Sequence, residues 1–313
     1  MKPLPPEDLQ AIVDAVDWSD LKDARILLTG GTGFVGRWLV ESFALANQQK
    51  GLKATMLTVS RKSGLHDDPT ILHTKANLLR PGTISGWGEF THAIHAACPS
   101  CANPPVDDLI LFNTIVNGTQ NVLRWCLQSG AKRVLYISSG AAEHRPDAPY
   151  GAAKKAAEVL CGIYAKQYGM EIPIARPYAL VGPGLPLDAH FAIGNFIRDA
   201  LAGGPVKVVG GQNVYRSYLY ASDMAIWLWV LLLKGTSRET VNVGSNEPTT
   251  IWDLARTVSE VLDCGFAAEP DSAVGHAYTY VPVTWRANMM GLQQTVPLKE
   301  AILKTARYYG WEK

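Results

Sequence analysis

Three side chains in one stretch carry the chemistry that this chain could do. Ser139 follows an apolar run, ten residues separate it from Tyr150, and Lys154 comes four residues after the tyrosine. On a helix, positions i and i+4 share a face, so the phenol and the ammonium can meet. A fixed cation favours the phenolate and pulls a tyrosine below its free value of about 10. Such a pair is a proton shuttle for interconverting an alcohol and a ketone. Tyr-x-x-x-Lys also recurs by chance on amphipathic helices, so its weight rests on the elements upstream.

The first of those elements is a strand-length apolar run, Arg25–Thr29, which stops at Gly30-Gly31-Thr32-Gly33-Phe34-Val35-Gly36 and gives way to helical periodicity over 37–46. Strand, glycine turn and helix in that order form a dinucleotide cradle. Gly30 permits the tight turn, Gly33 lets backbone approach a pyrophosphate at the helix N-terminus, and Gly36 lets helix and strand pack closely. Thr32, Phe34 and Val35 complete the candidate cofactor turn. The spacing is G-x-x-G-x-x-G, not G-x-G-x-x-G. The second strand, 54–60, ends in Ser60-Arg61-Lys62 with no acid. An acid there would hold an adenine ribose hydroxyl. A hydroxyl and two cations suit a 2′-phosphate instead, so the pattern leans to NADP over NAD. A solvated basic loop is the plainer alternative.

Apolar runs at 71–73 and 93–97, a helix over 109–127 and a strand over 133–138 continue the alternation. That strand delivers Ser138 and Ser139 to the carboxyl edge of a parallel sheet, where ligands of doubly wound folds bind. A helix starts near Tyr150, and a sixth strand, 172–177, ends in Pro177. Beyond it the pattern changes to a loop at 182–186, short strands at 206–209 and 215–220, and helices over 190–201, 222–233, 251–262 and 298–309. The chain therefore reads as α/β, a doubly wound parallel sheet (Rossmann) with a smaller C-terminal substrate domain. The expected division is 1–177 for the dinucleotide and 178–313 for the substrate, with a soft boundary and room for segments to interleave. Residues 7–22 read as a short amphipathic helix packed on the outside.

Composition removes several function classes. A net charge of +1 without a dense basic run argues against nucleic acid as a partner. No apolar run nears the roughly 20 residues of a membrane span, and Met224–Leu233 reads as a buried helix. The N-terminus lacks the apolar core of a signal peptide. Five cysteines, an odd number, do not make a disulfide framework. A reducing, cytoplasmic setting is expected. Cys98-Pro-Ser-Cys101 fits C-x-x-C, but no second ligand pair accompanies it, so no metal is expected.

Taken together, TGGTGFVG at 29–36, HAIHAA at 92–97, NGTQNVL at 117–123, YISSG at 136–140, YGAAK at 150–154, ARPYALVGPG at 175–184, RSYLYASDMA at 216–225 and VNVG at 241–244 resemble the extended short-chain dehydrogenase/reductase family, the nucleotide-sugar epimerase/dehydratase type. The resemblance covers nearly the whole chain. It implies Ser139, Tyr150 and Lys154 as the catalytic set, with Ser139 also touching substrate, and a nicotinamide that carries the hydride. It implies that Ala96, Ala97, Ser138 and Pro177 line the cofactor and that Asn77 and Leu78 lie by the adenine. Arg216 would pair with the substrate diphosphate, with Arg286 as a second anion ligand and Asn195 in the substrate cleft. An ion pair of Arg216 with Asp223 is the plainer reading. A homodimer through helices at 108–129 and 150–168 is also implied.

The departures narrow the reaction. Asn77 stands where the family usually has an aspartate, and Ala179 where it has a sugar-contacting asparagine. The acids that the family's 4,6-dehydratases and decarboxylases carry after the serine or threonine are replaced by Gly140 and Ala141. Elimination needs an acid and a base besides Tyr150, with Glu143 and His144 the nearest substitutes. The surviving set suits hydride and proton exchange at one carbon, as an NAD(P)-dependent epimerase or 4-keto sugar reductase. A 4,6-dehydratase and a non-catalytic dinucleotide sensor are the alternatives. The gap between Ser139 and Tyr150 is shorter than the family's, leaving the pocket open or filled by another segment.

Overall fold

The computed structural model describes residues 2–62, 67–80, 86–99, 107–237, 239–269 and 277–312. In chain order the strands are β1 Arg25–Thr29, β2 Thr55–Ser60, β3 Ile71–Lys75, β4 His92–His95, β5 Arg133–Ile137, β6 Ile174–Pro177, β7 Ala179–Val181, β8 Val206–Val209, β9 Val214–Arg216, β10 Tyr218–Tyr220, β11 Thr240–Val243, β12 Thr249–Thr250, β13 Phe266–Glu269 and β14 Tyr278–Tyr280. The helices are α1 Pro6–Ala15, α2 Phe34–Lys50, α3 Asp108–Gln128, α4 Ala141–His144, α5 Pro149–Tyr168, α6 Ala192–Leu201, α7 Ala221–Lys234, α8 Ile251–Val261, α9 Trp285–Met289 and α10 Leu298–Tyr308.

Seven parallel strands in the order β11-β6-β5-β4-β1-β2-β3 form the main sheet. Successive residues of a strand point to opposite faces, and β1 shows the consequence. Ile26 and Leu28 join the core beneath α1, α2 and α7, while Leu27 joins the core beneath α3 and α5. Both faces are covered, which is why these strands read as continuous apolar runs. The order reverses at β1, whose neighbours are β2 and β4, and a doubly wound sheet opens its ligand crevice at that point.

The seventh strand comes from beyond residue 177. β11 pairs with β6 in parallel, Val241 opposite Ala175 and Val243 opposite Pro177, and α7 packs on the same sheet. The second half thus lends a strand and a helix to the first. A third core, around Val181, Ile193, Phe196, Tyr218, Leu254, Val258 and Ile302, holds the rest of the second half together. The apolar run expected as one strand over 215–220 is two strands with different partners. β9 pairs with β12 and β14, while β10 pairs with β7. The chain changes sheets at the buried Ser217.

At the N-terminus the helix ends at Ala15, earlier than the apolar spacing suggests, and Val16 is extended. Trp18 instead packs on Trp229 of α7, ring centroids 5.0 Å apart. Asp8 of α1 is buried, accepts from the Tyr220 hydroxyl at 2.7 Å and pairs with Lys304 of α10 at 2.6 Å. The two ends of the chain are therefore joined through one carboxylate. Among the described residues, no helix is long and apolar enough to cross a membrane and no cluster could hold a metal ion.

Candidate active site

The glycine turn is built by contacts that leave no room for side chains. Gly30 has φ +82°, and a Cβ there would lie 2.7–2.9 Å from the backbone of Ala96 and Ala97. A Cβ on Gly36 would stand 2.2 Å from the Gly30 carbonyl oxygen. Gly33 is exposed, precedes α2, and a Cβ there would meet only the Gly30 oxygen at 3.4 Å. No side chain caps α2, so the amides of its first turn face the opening. Uncapped amides with backbone access are what a pyrophosphate needs. These residues fit a dinucleotide.

His95, which carries no role in the motif reading, holds this turn from below. Its ring nitrogens meet the Thr29 hydroxyl at 2.7 Å and the Thr119 hydroxyl at 3.1 Å, tying the ends of β1 and β4 to α3. Burial, with a smaller contribution from the Lys154 ammonium, pushes the imidazole down to about 3, so it is neutral when folded. A depressed histidine stabilises the fold fully above its unfolded value of about 6.5 and loses that contribution as pH falls toward 3. Urea titrations at pH 7 and pH 5 should show the wild type losing about 2 kcal/mol more than His95→Gln does, from about 1.4 kcal/mol per pH unit below 6.5. Equal losses would contradict this assignment.

Beyond β5 the chain sets out Ser138 and Ser139. The Ser138 hydroxyl donates to Glu158 at 2.6 Å, and Arg176 donates to both oxygens of the same carboxylate at 2.7 and 2.6 Å. Glu158 is buried on α5, so this junction fixes α5 against β5 and β6. Its remaining bond runs from Arg176 to Glu143 at 2.8 Å. One turn earlier on α5, Lys154 is buried, and its ammonium donates to the Ile137 carbonyl at 2.8 Å. That ammonium lies 6.0 Å from the centre of the half-buried Tyr150 ring. The i, i+4 pair thus shares one face at the carboxyl edge, with the helix begun by Pro149 at a position proline tolerates.

The space beside Ser139 is filled by an aromatic cluster. A Cβ on Gly140 would lie 2.7 and 2.8 Å from Tyr178 ring atoms and 2.8 Å from the Tyr280 hydroxyl oxygen. Burial raises the Tyr280 phenol. The Tyr178 and Tyr280 rings are 4.7 Å apart, His144 stands edge-on to both, and a His144 ring nitrogen meets the Tyr178 hydroxyl at 3.0 Å. Of the two substitute acids considered from sequence, Glu143 is engaged by Arg176 and His144 by Tyr178.

The other candidates divide by place. Arg216 lies directly across from Tyr280 in the β9–β14 pair, its guanidinium 5.4 Å over that ring. The buried Asp223 carboxylate is taken by the Thr295 amide and hydroxyl and the Val296 amide rather than by Arg216. Arg286 stands elsewhere. It donates to the Thr240 carbonyl, stacks on Trp285, and lines a cleft of about 200 Å³ with Glu143, Arg176 and Asn242. Asn195, half-buried on α6, accepts from Arg198 of the same helix at 3.3 Å.

At the carboxyl end of β2, the Ser60 hydroxyl donates to the Lys62 carbonyl at 2.6 Å, while Arg61 and Lys62 are exposed. The Asn77 side-chain oxygen accepts from the Leu79 amide, and the Leu78 carbonyl accepts from Asn121 of α3 at 2.8 Å. Pro177 ends β6, its carbonyl receiving the Gly140 amide at 3.0 Å. Cys98 is a half-buried free thiol, and Cys101 of the C-x-x-C pair lies outside the described residues. A wider cleft of about 470 Å³, lined by Trp18, Lys22 and Leu52, opens at the amino ends of the strands, away from all of these residues.

Residues 26–244 match the model of the NAD dependent epimerase/dehydratase family. The chain belongs to this family. It is an enzyme of the NAD-dependent epimerase/dehydratase type. Among curated proteins, UDP-glucuronic acid decarboxylase 1 of Xenopus tropicalis is 27% identical over 91% of this chain and 72% of its own length. UDP-glucuronic acid decarboxylase 6 of Arabidopsis thaliana is 30% identical over 76% of this chain and 74% of its own. The fold is shared with the UDP-glucose 4-epimerase of Thermotoga maritima, solved with UDP-glucose, at a TM-score of 0.79 and 21% identity over 91% of this chain and 98% of that one. It is shared too with the dTDP-glucose 4,6-dehydratase of Streptomyces venezuelae, solved with NAD bound, at 0.80 and 21% over 91% and 96%. The N-terminal segment with α1 and Trp18 precedes the family-matched region.

Proposed function

We propose that this enzyme transfers a hydride at one ring carbon, C4 or its neighbour, of a UDP-linked hexose, as an epimerase or a 4-keto sugar reductase. The observation that carries the reading is the Ser139, Tyr150 and Lys154 set at the carboxyl edge beside the glycine turn, with no carboxylate at 140 or 141. The choice of uridine diphosphate rests on the relatives named above. When bound, the nicotinamide supplies the hydride chemistry. Residues 30–36, Ala96 and Ala97 hold the dinucleotide, and the second half of the chain, with β11 returned to the main sheet, holds the sugar nucleotide. The Tyr150 hydroxyl takes the proton of the sugar hydroxyl or returns it to the carbonyl oxygen. Lys154 favours the charged phenol by its positive charge. Ser139 hydrogen-bonds the same oxygen, and Arg216 pairs with the diphosphate.

A second reading, decarboxylation of UDP-glucuronate, is supported by the curated relatives. Oxidation at C4 makes the C5 carboxylate a β-keto acid, which releases carbon dioxide without a further carboxylate from the protein. Incubation with NAD or NADPH and a panel of UDP-glucose, UDP-galactose, UDP-glucuronate and UDP-4-keto-6-deoxyglucose separates the readings. Epimerisation interconverts the first two without net cofactor change, reduction consumes NADPH, and decarboxylation releases carbon dioxide. Turnover of none of them sinks the proposal.

Two finer features belong to the same reading. Arg61 and Lys62 pair with a 2′-phosphate, so NADPH is the preferred cofactor. Arg61→Ala with Lys62→Ala is expected to weaken NADPH about tenfold or more and to leave NADH unchanged in fluorescence titration. Equal weakening of both would refute the preference. The enzyme is also a homodimer through α3 and α5, whose Leu109, Ile110, Val159 and Ile163 are 73, 58, 56 and 48% exposed, a high fraction for side chains of this kind. Light scattering should give twice the chain mass, and Val159→Glu with Ile163→Glu should give a monomer.

A further inference from the structure

The cluster beside Ser139 has a use beyond packing. We propose, resting on the sugar-nucleotide reading above, that Tyr280 is a substrate-contacting, specificity-determining residue. Its hydroxyl hydrogen-bonds the sugar ring next to Ser139, in the space a side chain on residue 140 would occupy, and Tyr178 with His144 holds it there.

Two observations converge on Tyr280. Its hydroxyl oxygen lies 2.8 Å from where a Cβ on Gly140 would stand, so it claims the site of the first atom of any side chain following the serine. That places the hydroxyl beside the residue following Ser139, the serine assigned to the reacting oxygen. Its ring is the cross-strand neighbour of Arg216, with the guanidinium 5.4 Å over it. In a nucleotide sugar the diphosphate is joined directly to the ring, so a diphosphate ligand and a sugar ligand must stand side by side. Arg216 and Tyr280 do.

The supporting shell is rigid. Tyr178 is buried, 6% exposed, with its hydroxyl on His144, and His144 packs edge-on against the Tyr280 ring at 5.2 Å. The consequence for chemistry is a matter of type. A carboxylate in this position is a base and can remove a ring proton beside a ketone, which elimination requires. A phenol held protonated by burial donates a hydrogen bond and removes nothing. The substitution disfavours steps in which the protein must remove a ring proton beside the ketone.

The test is calorimetric titration of the NAD-loaded enzyme with UDP and with UDP-glucose. Tyr280→Phe is expected to bind UDP as the wild type does and UDP-glucose about tenfold more weakly, the worth of one buried hydrogen bond, with the melting temperature unchanged. Gly140→Ala, which pushes the same hydroxyl aside, should reproduce that selective loss. A Tyr280→Phe enzyme that binds both ligands like the wild type, or loses both equally, overturns the sugar contact. Wild-type enzyme that binds UDP but gains nothing from the glucose overturns it too, while leaving the UDP assignment standing. Wild-type enzyme that binds neither overturns the sugar-nucleotide reading and the role of Tyr280 with it.

Discussion

Replacing Tyr150 with phenylalanine is expected to lower kcat by about 10²–10⁴-fold on the substrate the panel identifies, with dinucleotide affinity changed little. The substitution removes one oxygen and leaves the half-buried ring in place on α5. On the proposed mechanism, what is lost is the proton acceptor for the sugar hydroxyl. The surroundings make this loss hard to replace. Lys154 is buried with its ammonium committed to the Ile137 carbonyl, Glu143 is taken by Arg176, and Tyr178 and Tyr280 are both raised by burial. Each of these groups is either engaged elsewhere or held protonated. Single-turnover measurement with pre-bound cofactor separates chemistry from binding. A Tyr150→Phe enzyme that keeps more than a tenth of wild-type kcat would remove Tyr150 from the proposed mechanism and strengthen the case for a non-catalytic sensor.

Gly36→Ala is expected to have the other large effect. Its methyl would need the position 2.2 Å from the Gly30 carbonyl oxygen and 2.7 Å from Gly31 Cα, which are backbone atoms and cannot rotate away. Either α2 moves off β1 or the glycine turn opens. Overpacking of this kind costs about 1–3 kcal/mol, and the displaced turn would no longer aim the α2 amides at a pyrophosphate. The expectation is a lower melting temperature and at least a hundredfold loss of dinucleotide affinity. Normal cofactor binding by Gly36→Ala would mean that this turn is not the dinucleotide cradle.

The two tests differ in how far their residues could be read without coordinates. Gly30, Gly33 and Gly36 lie within one turn and the start of its helix, and Tyr150 and Lys154 are one helical turn apart. Short-range geometry relates such residues wherever the segment is placed, so a strand-turn-helix pattern and an i, i+4 pair carried their meaning in the sequence. The same holds for six of the sheet strands, β1 to β6, whose apolar runs follow from burial on both faces, and for the missing acid after Ser139, whereas the pairing of β11 with β6 came only from the structure.

What filled the place of that acid was not legible. β14 is three residues, Tyr-Thr-Tyr, strand-forming in type but too short to mark a strand by itself. Tyr280 reaches Gly140, next to Ser139, across 140 positions only because β14 pairs with β9. His95 gave no signal either. Its partners Thr29 and Thr119 lie 66 and 24 residues away, and a histidine among small residues reads the same whether it is buried or exposed. Asp8 is held by Tyr220 and Lys304, 212 and 296 positions away, and no local pattern marks that pairing. The sequence by itself determined the parallel sheet, the dinucleotide turn and the Ser139, Tyr150 and Lys154 set, since each is a local pattern whose geometry the backbone enforces. Only the tertiary structure decided which distant side chains surround that set, because those contacts come from packing between elements and leave no periodic trace in the chain.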